Sequence, residues 1–175
     1  CSEFELTFSD ETLPGDCPQE YTIVRTWTAT DGCGNARSRD QLIKVQDTTG
    51  PELYFGMPEL ASYQDGDALE ISCSEYGWVI GLGNAMYGLD NCDDYVDISY
   101  EWTKSPWLPC YEAPGYVMKM TGTWTAMDDC GNTSSVTLHF NVVDNEPPVL
   151  AGVPEDACVT ALPPMPAVEA YDECQ

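Results

Sequence analysis

Apolar and polar positions alternate with a period of two between residues 21 and 30. Tyr21, Ile23, Trp27 and Ala29 share one face, which Arg25 interrupts, and Thr22, Val24, Thr26, Thr28 and Thr30 share the other. The same period returns over 136–143, where Leu138, Phe140 and Val142 point one way and His139 and Asn141 the other. Side chains that change face at every residue belong to strands. The pattern predicts strands over 21–30, 95–103, 118–126 and 135–143. No segment carries the i, i+3, i+4 apolar spacing of a helix, and thirteen prolines and fourteen glycines cut the chain into short pieces. The expected fold class is therefore all-β, built as an antiparallel β-sandwich.

The chain repeats itself. "YTIVRTWTATDGCGNARSRDQLIKVQDTTGPEL" lies over "YVMKMTGTWTAMDDCGNTSSVTLHFNVVDNEPPVL" at a shift of 97 residues from Trp27/Trp124 to Leu53/Leu150, and "GMPE" (56–59) meets "GVPE" (152–155) at 96. A fixed period with short insertions is the mark of a tandem array. The period of about 95 residues is in the size range of immunoglobulin-like modules. Residues 1–48 read as the back half of one module, 49–146 as a complete module and 147–175 as the front of a third. A half module cannot bury its own sheet face, so the working protein is expected to be longer than this chain. No charged-then-apolar leader opens the sequence, so any signal peptide is expected to be absent or already removed.

The nine cysteines follow the same phase. The complete module carries Cys73, Cys92, Cys110 and Cys130. The opening segment has counterparts of the last three in Cys1, Cys17 and Cys33, and the closing one has counterparts of the first two in Cys158 and Cys174. With a single histidine, His139, and no CxxC, disulfides are a better reading than metal–thiolate sites, and they point to an oxidising, extracellular setting. Partners must sit at one end of the sandwich, because bridged Cα atoms approach within about 7 Å. Strands that rise and fall in turn place Cys92 and Cys130 together below and Cys73 and Cys110 together above. The expected bridges are Cys92–Cys130, Cys73–Cys110 and, by the repeat, Cys1–Cys33.

The charge balance changes the picture further. Six Lys and Arg stand against thirty Asp and Glu, a formal net charge of −24. Such a field repels phosphate backbones, which excludes nucleic acid as a partner, and attracts cations. No run of about 18 apolar residues is present, so no membrane insertion is expected. The "DDCGN" string at 128–132, with its counterpart "DGCGN" at 31–35, reads as a tight hairpin. The lower end then gathers Asp90, Asp93 and Asp94 against Asp128 and Asp129, with Asp47 of the incoming linker, and Asp144 stands at the next junction. Crowded carboxylates need a cation or open solvent. Oxygen ligands of this kind suit Ca²⁺, and a solvated acidic turn is the other reading. For catalysis there is little: GxSxG and HExxH are absent, and "GLGNAMYG" (81–88) lacks the spacing of a dinucleotide loop.

Taken together, "YTIVRTWTATDGCGN … KVQDTTGPEL" and "GVPEDACV … AVEAYDEC" resemble hyalin-repeat-like modules, an immunoglobulin-like β-sandwich family. More closely, they are similar to the tandem repeats of very large gliding-type surface adhesins of Bacteroidota, exported by the type IX secretion system. The resemblance implies an extracellular, cell-surface, filamentous role in adhesion or scaffolding, without catalysis. The partners it implies are neighbouring modules of the same chain, surface polysaccharide or protein, and other filaments bundling laterally into fibres. Asp47-Thr48-Thr49 also looks like the O-glycosylation signal of that phylum, which marks Thr48. The central module departs from the repeat in "SEYGWVIGLGNAMYGLDN" and in the loop 100–116, which carries Trp102, Trp107 and Tyr111. Those aromatics either pack against the module or stack on a sugar or protein partner.

Overall fold

The structure is a computed structural model that describes residues 3–109, 112, 115–161, 163–172 and 174. Its secondary structure is dominated by strands, as the alternation predicted. The chain divides into two compact units: Cys1–Ser62, Ala85–Tyr100 and Trp124–Val136 form the first, and Tyr63–Asn84, Glu101–Thr123 and Thr137–Gln175 the second. The units interleave along the chain.

In the first unit, β1 (Phe4–Pro14), β2 (Tyr21–Asp31) and β3 (Ala36–Val45) form an antiparallel sheet in that order. The register sets Phe8 opposite Trp27 and Asp10 opposite Arg25. That explains the cation on the apolar face of β2. The Arg25 guanidinium lies over the Phe8 ring, 4.5 Å from its centroid, and pairs with Asp10 at 2.8 Å. Phe4, Leu6 and Phe8 remain more than half exposed. A two-stranded ladder joins β4 (Glu52–Phe55) to β6 (Met86–Leu89). Phe55 meets the fully buried Trp124 edge-on at 5.8 Å.

Trp124 belongs to β8 (Met118–Met127), which lies in a four-stranded sheet with β5 (Ala68–Ser72), β7 (Asp97–Lys104) and β9 (Thr133–Val143) in the order β5-β9-β8-β7. Met118, Met120, Trp124 and Ala126 of β8 and Leu138, Phe140 and Val142 of β9 are buried, so one face of each strand enters the core as the alternation requires. The expectation of a purely antiparallel fold needs correction at one edge, because β5 pairs with β9 in parallel, Ala68 opposite His139 and Ile71 opposite Val142. The turn before β5 sets this direction. Gly66, at φ 84°, donates to Thr137 O, and Asp67 O accepts from His139 N–H.

The segment 73–84, expected to lack helix, winds into a short α-helix, α1 (Tyr76–Ile80), between 3₁₀ turns at Cys73–Glu75 and Gly81–Asn84. Its start is held by Glu75, whose carboxylate accepts from Ser72 N–H and Oγ–H. Val79 and Leu82, three residues apart, bury in the second unit.

The period seen in sequence recurs in backbone pairing. Strands β10 (Val149–Ala151) and β11 (Glu169–Tyr171) pair Val149 with Tyr171. They copy the β4–β6 ladder, which pairs Glu52 with Leu89. The two hairpin feet match bond for bond. Asp31 Oδ1 accepts from Cys33 and Asn35 N–H and its Oδ2 from Asn35 Nδ2, and Asp128 does the same with Cys130 and Asn132. Gly34 and Gly131 hold φ of 86° and 84°, which any other residue adopts only at a cost.

Candidate metal centre

The foot of the β8–β9 hairpin, in the first unit, collects three other chain segments. The linker after β3 is clamped there: Asn132 Nδ2 donates to Asp47 O at 3.3 Å and Ser134 Oγ to Pro51 O. A Cβ on Gly50 would lie 2.8 Å from Thr133 O, so the linker passes this close only because it has none. The loop after β6 is tied in by Asp93, whose Oδ2 accepts from Asp129 N–H at 2.8 Å. The β1–β2 loop reaches in through Gln19, which donates to Asp93 Oδ1.

That last contact corrects the disulfide assignment. Cys130 is bridged to Cys17 of the β1–β2 loop, with Cα atoms 5.1 Å apart, and not to Cys92. Cys92 lies against Asp47 and Asp90 of the same foot, and Gln19 of the β1–β2 loop sits beside Cys130. In the second unit Cys73 is bridged to Cys174, with Cα atoms 5.5 Å apart, and not to Cys110. Cys1 and Cys110 lie outside the described residues, and with them the Cys1–Cys33 pairing. The two disulfides among the described residues fit an oxidising, secreted setting. Among the described residues no helix is long and apolar enough to cross a membrane.

Four carboxylates converge at the foot. One oxygen from each of Asp47, Asp90, Asp93 and Asp128 lies within 4.8 Å of the others. Asp47 and Asp128 are 5% and 4% exposed, and Asp93 is buried as well. Backbone bonds orient the group: Asp90 Oδ1 accepts from Cys92 and Asp93 N–H, and Asp47 Oδ1 from Thr49 N–H. The opposite oxygens, Asp47 Oδ2 and Asp90 Oδ2, are buried with no hydrogen-bond partner. Unpaired acceptors of this kind cost free energy unless a positive group faces them. Among the described residues the one Lys or Arg ion pair is Arg25–Asp10 on the β1–β2 sheet.

The charges around the site move with this field. Desolvation and then the carboxylates of Asp47, Asp90, Asp93 and Asp128 push the Cys92 thiol above its ordinary value. Desolvation would raise Asp128 too. The hydrogen bonds from Asn132, Cys130 and Gly131 outweigh it and hold that carboxyl below the usual range, so Asp128 stays charged. The donor set is all hard oxygen, the kind of ligand calcium takes.

The grouping differs from the sequence expectation in its membership. Asp94 and Asp129 are exposed and fall outside the cluster, Asp129 entering only through its backbone N–H. Asp144 lies in the second unit, in a separate group with Asp172 and Cys174. That group copies Asp47, Asp90 and Cys92: Asp172 Oδ1 accepts from Cys174 N–H at 2.9 Å as Asp90 Oδ1 does from Cys92 at 2.8 Å. Thr48 is exposed beside the first cluster. Of the three aromatics, Trp102 packs on buried Phe140 with centroids 5.7 Å apart. Trp107 is 49% exposed, 6.3 Å from Tyr76, and Tyr111 lies outside the described residues. No protein-family model matches the chain, and no curated protein matches it either.

Proposed function

We propose that this chain is a non-catalytic segment of a long extracellular, filamentous adhesin, in which immunoglobulin-like modules are joined by disulfides and by Ca²⁺ at each linker. The observation that carries the reading is the repetition of one junction design. The Asp-capped hairpin foot, the two-stranded ladder and the linker Asp with its Asp-x-Cys partner all recur from one repeat to the next. A solvated acidic turn would have no need to bury Asp47 or to leave two carboxylate oxygens inside the cluster without donors. A cation there cross-links a linker to the foot of the next module, which is how a chain of small domains becomes a stiff stalk able to present a surface to polysaccharide, protein or neighbouring filaments. Thr48, exposed on that linker, is the candidate for glycosylation.

Small-angle scattering of the chain with 1 mM Ca²⁺ and then with excess EDTA tests the stalk. The proposal expects a longer, narrower particle with calcium, and an unchanged scattering curve counts against it. A second reading, a carbohydrate- or protein-binding module on the 100–116 loop, rests on the exposed ring of Trp107. Glycan and protein binding by the Trp107→Ala variant separates the two: loss of binding supports the module reading.

A further inference from the structure

The two bridges share a property that neither shows alone. By repeat phase, Cys73 and Cys158 are first-position cysteines, Cys1, Cys92 and Cys174 second, Cys17 and Cys110 third, and Cys33 and Cys130 fourth. Cys73–Cys174 therefore joins the first position of one repeat to the second position of the next. Cys17–Cys130 joins a third position to the fourth position of the next. Each spans more than one repeat period, with separations of 101 and 113 residues.

Cys92 and Cys158 are exposed and unbridged. Cys92 stands where Cys174 stands. Each sulfur lies within 4.8 Å of carboxylate oxygens from a linker aspartate and from the aspartate two residues before it. Each N–H also donates to that second aspartate, at 2.8 and 2.9 Å. Cys174, in this setting, is bonded to a first-position cysteine of the preceding repeat. Cys92 has no such cysteine before it among the nine, and Cys158 has no second-position cysteine of a following repeat.

We infer that Cys92 and Cys158 are a complementary pair of docking thiols. Cys92 takes the first-position cysteine of a preceding repeat and Cys158 the second-position cysteine of a following one, so that consecutive repeats are joined by staggered disulfides. The partner is another repeat of the same kind, for which a second copy of this chain is a sufficient probe: Cys158 of one copy bonds Cys92 of the next, head to tail. In each bond two thiols lose two protons and two electrons to a small-molecule disulfide, which is reduced to two thiols. The inference rests on the tandem-repeat part of the proposed function and is independent of calcium and of adhesion.

The test incubates the concentrated chain in reduced and oxidised glutathione, blocks remaining thiols with N-ethylmaleimide and maps bridged peptides by mass spectrometry. The expected product contains intermolecular Cys92–Cys158 peptides alongside intact Cys17–Cys130 and Cys73–Cys174, whose presence in the same digest reports correct folding. Cys92→Ser alone and Cys158→Ser alone lose that peptide. A mixture of the two variants regains it, because each supplies the thiol the other lacks. Cys92–Cys92 or Cys158–Cys158 peptides, a Cys92–Cys158 bridge within one chain, or both thiols recovered fully blocked would overturn the inference. A positive disulfide map with no response to EDTA would keep this inference and reject the calcium reading.

Discussion

Asp47→Asn is the sharpest perturbation of the proposed metal centre, because it removes one charge while keeping the shape and the acceptor for Thr49 N–H. Without a cation, each pair of carboxylate oxygens, lying within 4.8 Å of one another, repels by about 3.5 kcal/mol or more at an effective dielectric of about 20. Asp47 is 5% exposed and has three such neighbours, so solvent relieves little of this. The variant should therefore melt higher than wild type in EDTA. With calcium the order reverses. A ligand at about 100 times its Kd stabilises the folded state by about 2.7 kcal/mol. For a chain of this length that is about 5–11 °C in Tm. Wild type should gain this shift, and Asp47→Asn, with an amide in place of one of the four carboxylates, should lose most of it. Asp94→Asn, at an exposed carboxylate outside the cluster, is the control and should respond as wild type does. Scanning calorimetry with EDTA, Ca²⁺ and Mg²⁺ reads all three. A wild-type Tm indifferent to calcium, or an Asp47→Asn variant that melts below wild type in EDTA, would show that the carboxylates are not held together against their repulsion.

Removing the bridge with Cys17→Ala and Cys130→Ala frees a loop of 113 residues, and the chain-entropy estimate puts the loss at about 5 kcal/mol. Denaturant unfolding should show it, and a loss below 1 kcal/mol would mean that the hairpin foot is held without the disulfide. Trp124→Ala empties the fully buried site against Phe55 and should cost about 3–5 kcal/mol, whereas Trp107→Ala at the exposed ring should change the urea midpoint little. The first hairpin should be acid-resistant. Hydrogen bonds from the Asn35 side chain and backbone, with those from Cys33 and Gly34, hold Asp31 below the ordinary carboxylate range. A depressed folded pKa contributes stability above the unfolded value that is lost as pH falls through the folded one. The Gly34 amide resonance should therefore keep its hairpin shift through the normal aspartate range and lose it only at lower pH. Asn35→Ala should move that loss to higher pH, and an unchanged midpoint would refute the assignment.

Much of the local structure could be read from residue order. The alternation over 21–30 and 136–143 marked β2 and β9 and the buried face of β9. The Asp-x-Cys-Gly-Asn string marked both hairpin feet, since Asp and Asn side chains bond their own turn and Gly supplies the positive φ. Two signals went unread. Phe4, Leu6 and Phe8 alternate as any strand does, and they form β1. Ser72-x-x-Glu75 is a helix-start signature, and it opens the helical segment before β6.

The disulfides and the metal cluster show where residue order stops. It determined the strand faces, the hairpin feet, the repeat and its cysteine phases, because each depends on a few neighbouring residues. Only the tertiary structure decided that Cys130 meets Cys17 and that Cys73 meets Cys174, or that Asp47, Asp90, Asp93 and Asp128 converge while Asp94 and Asp129 face out. The physical reason is that a bridge or an ion site needs a few ångströms of approach between segments far apart in sequence. Many chain paths share one strand pattern, and they differ in which loop arrives beside which foot.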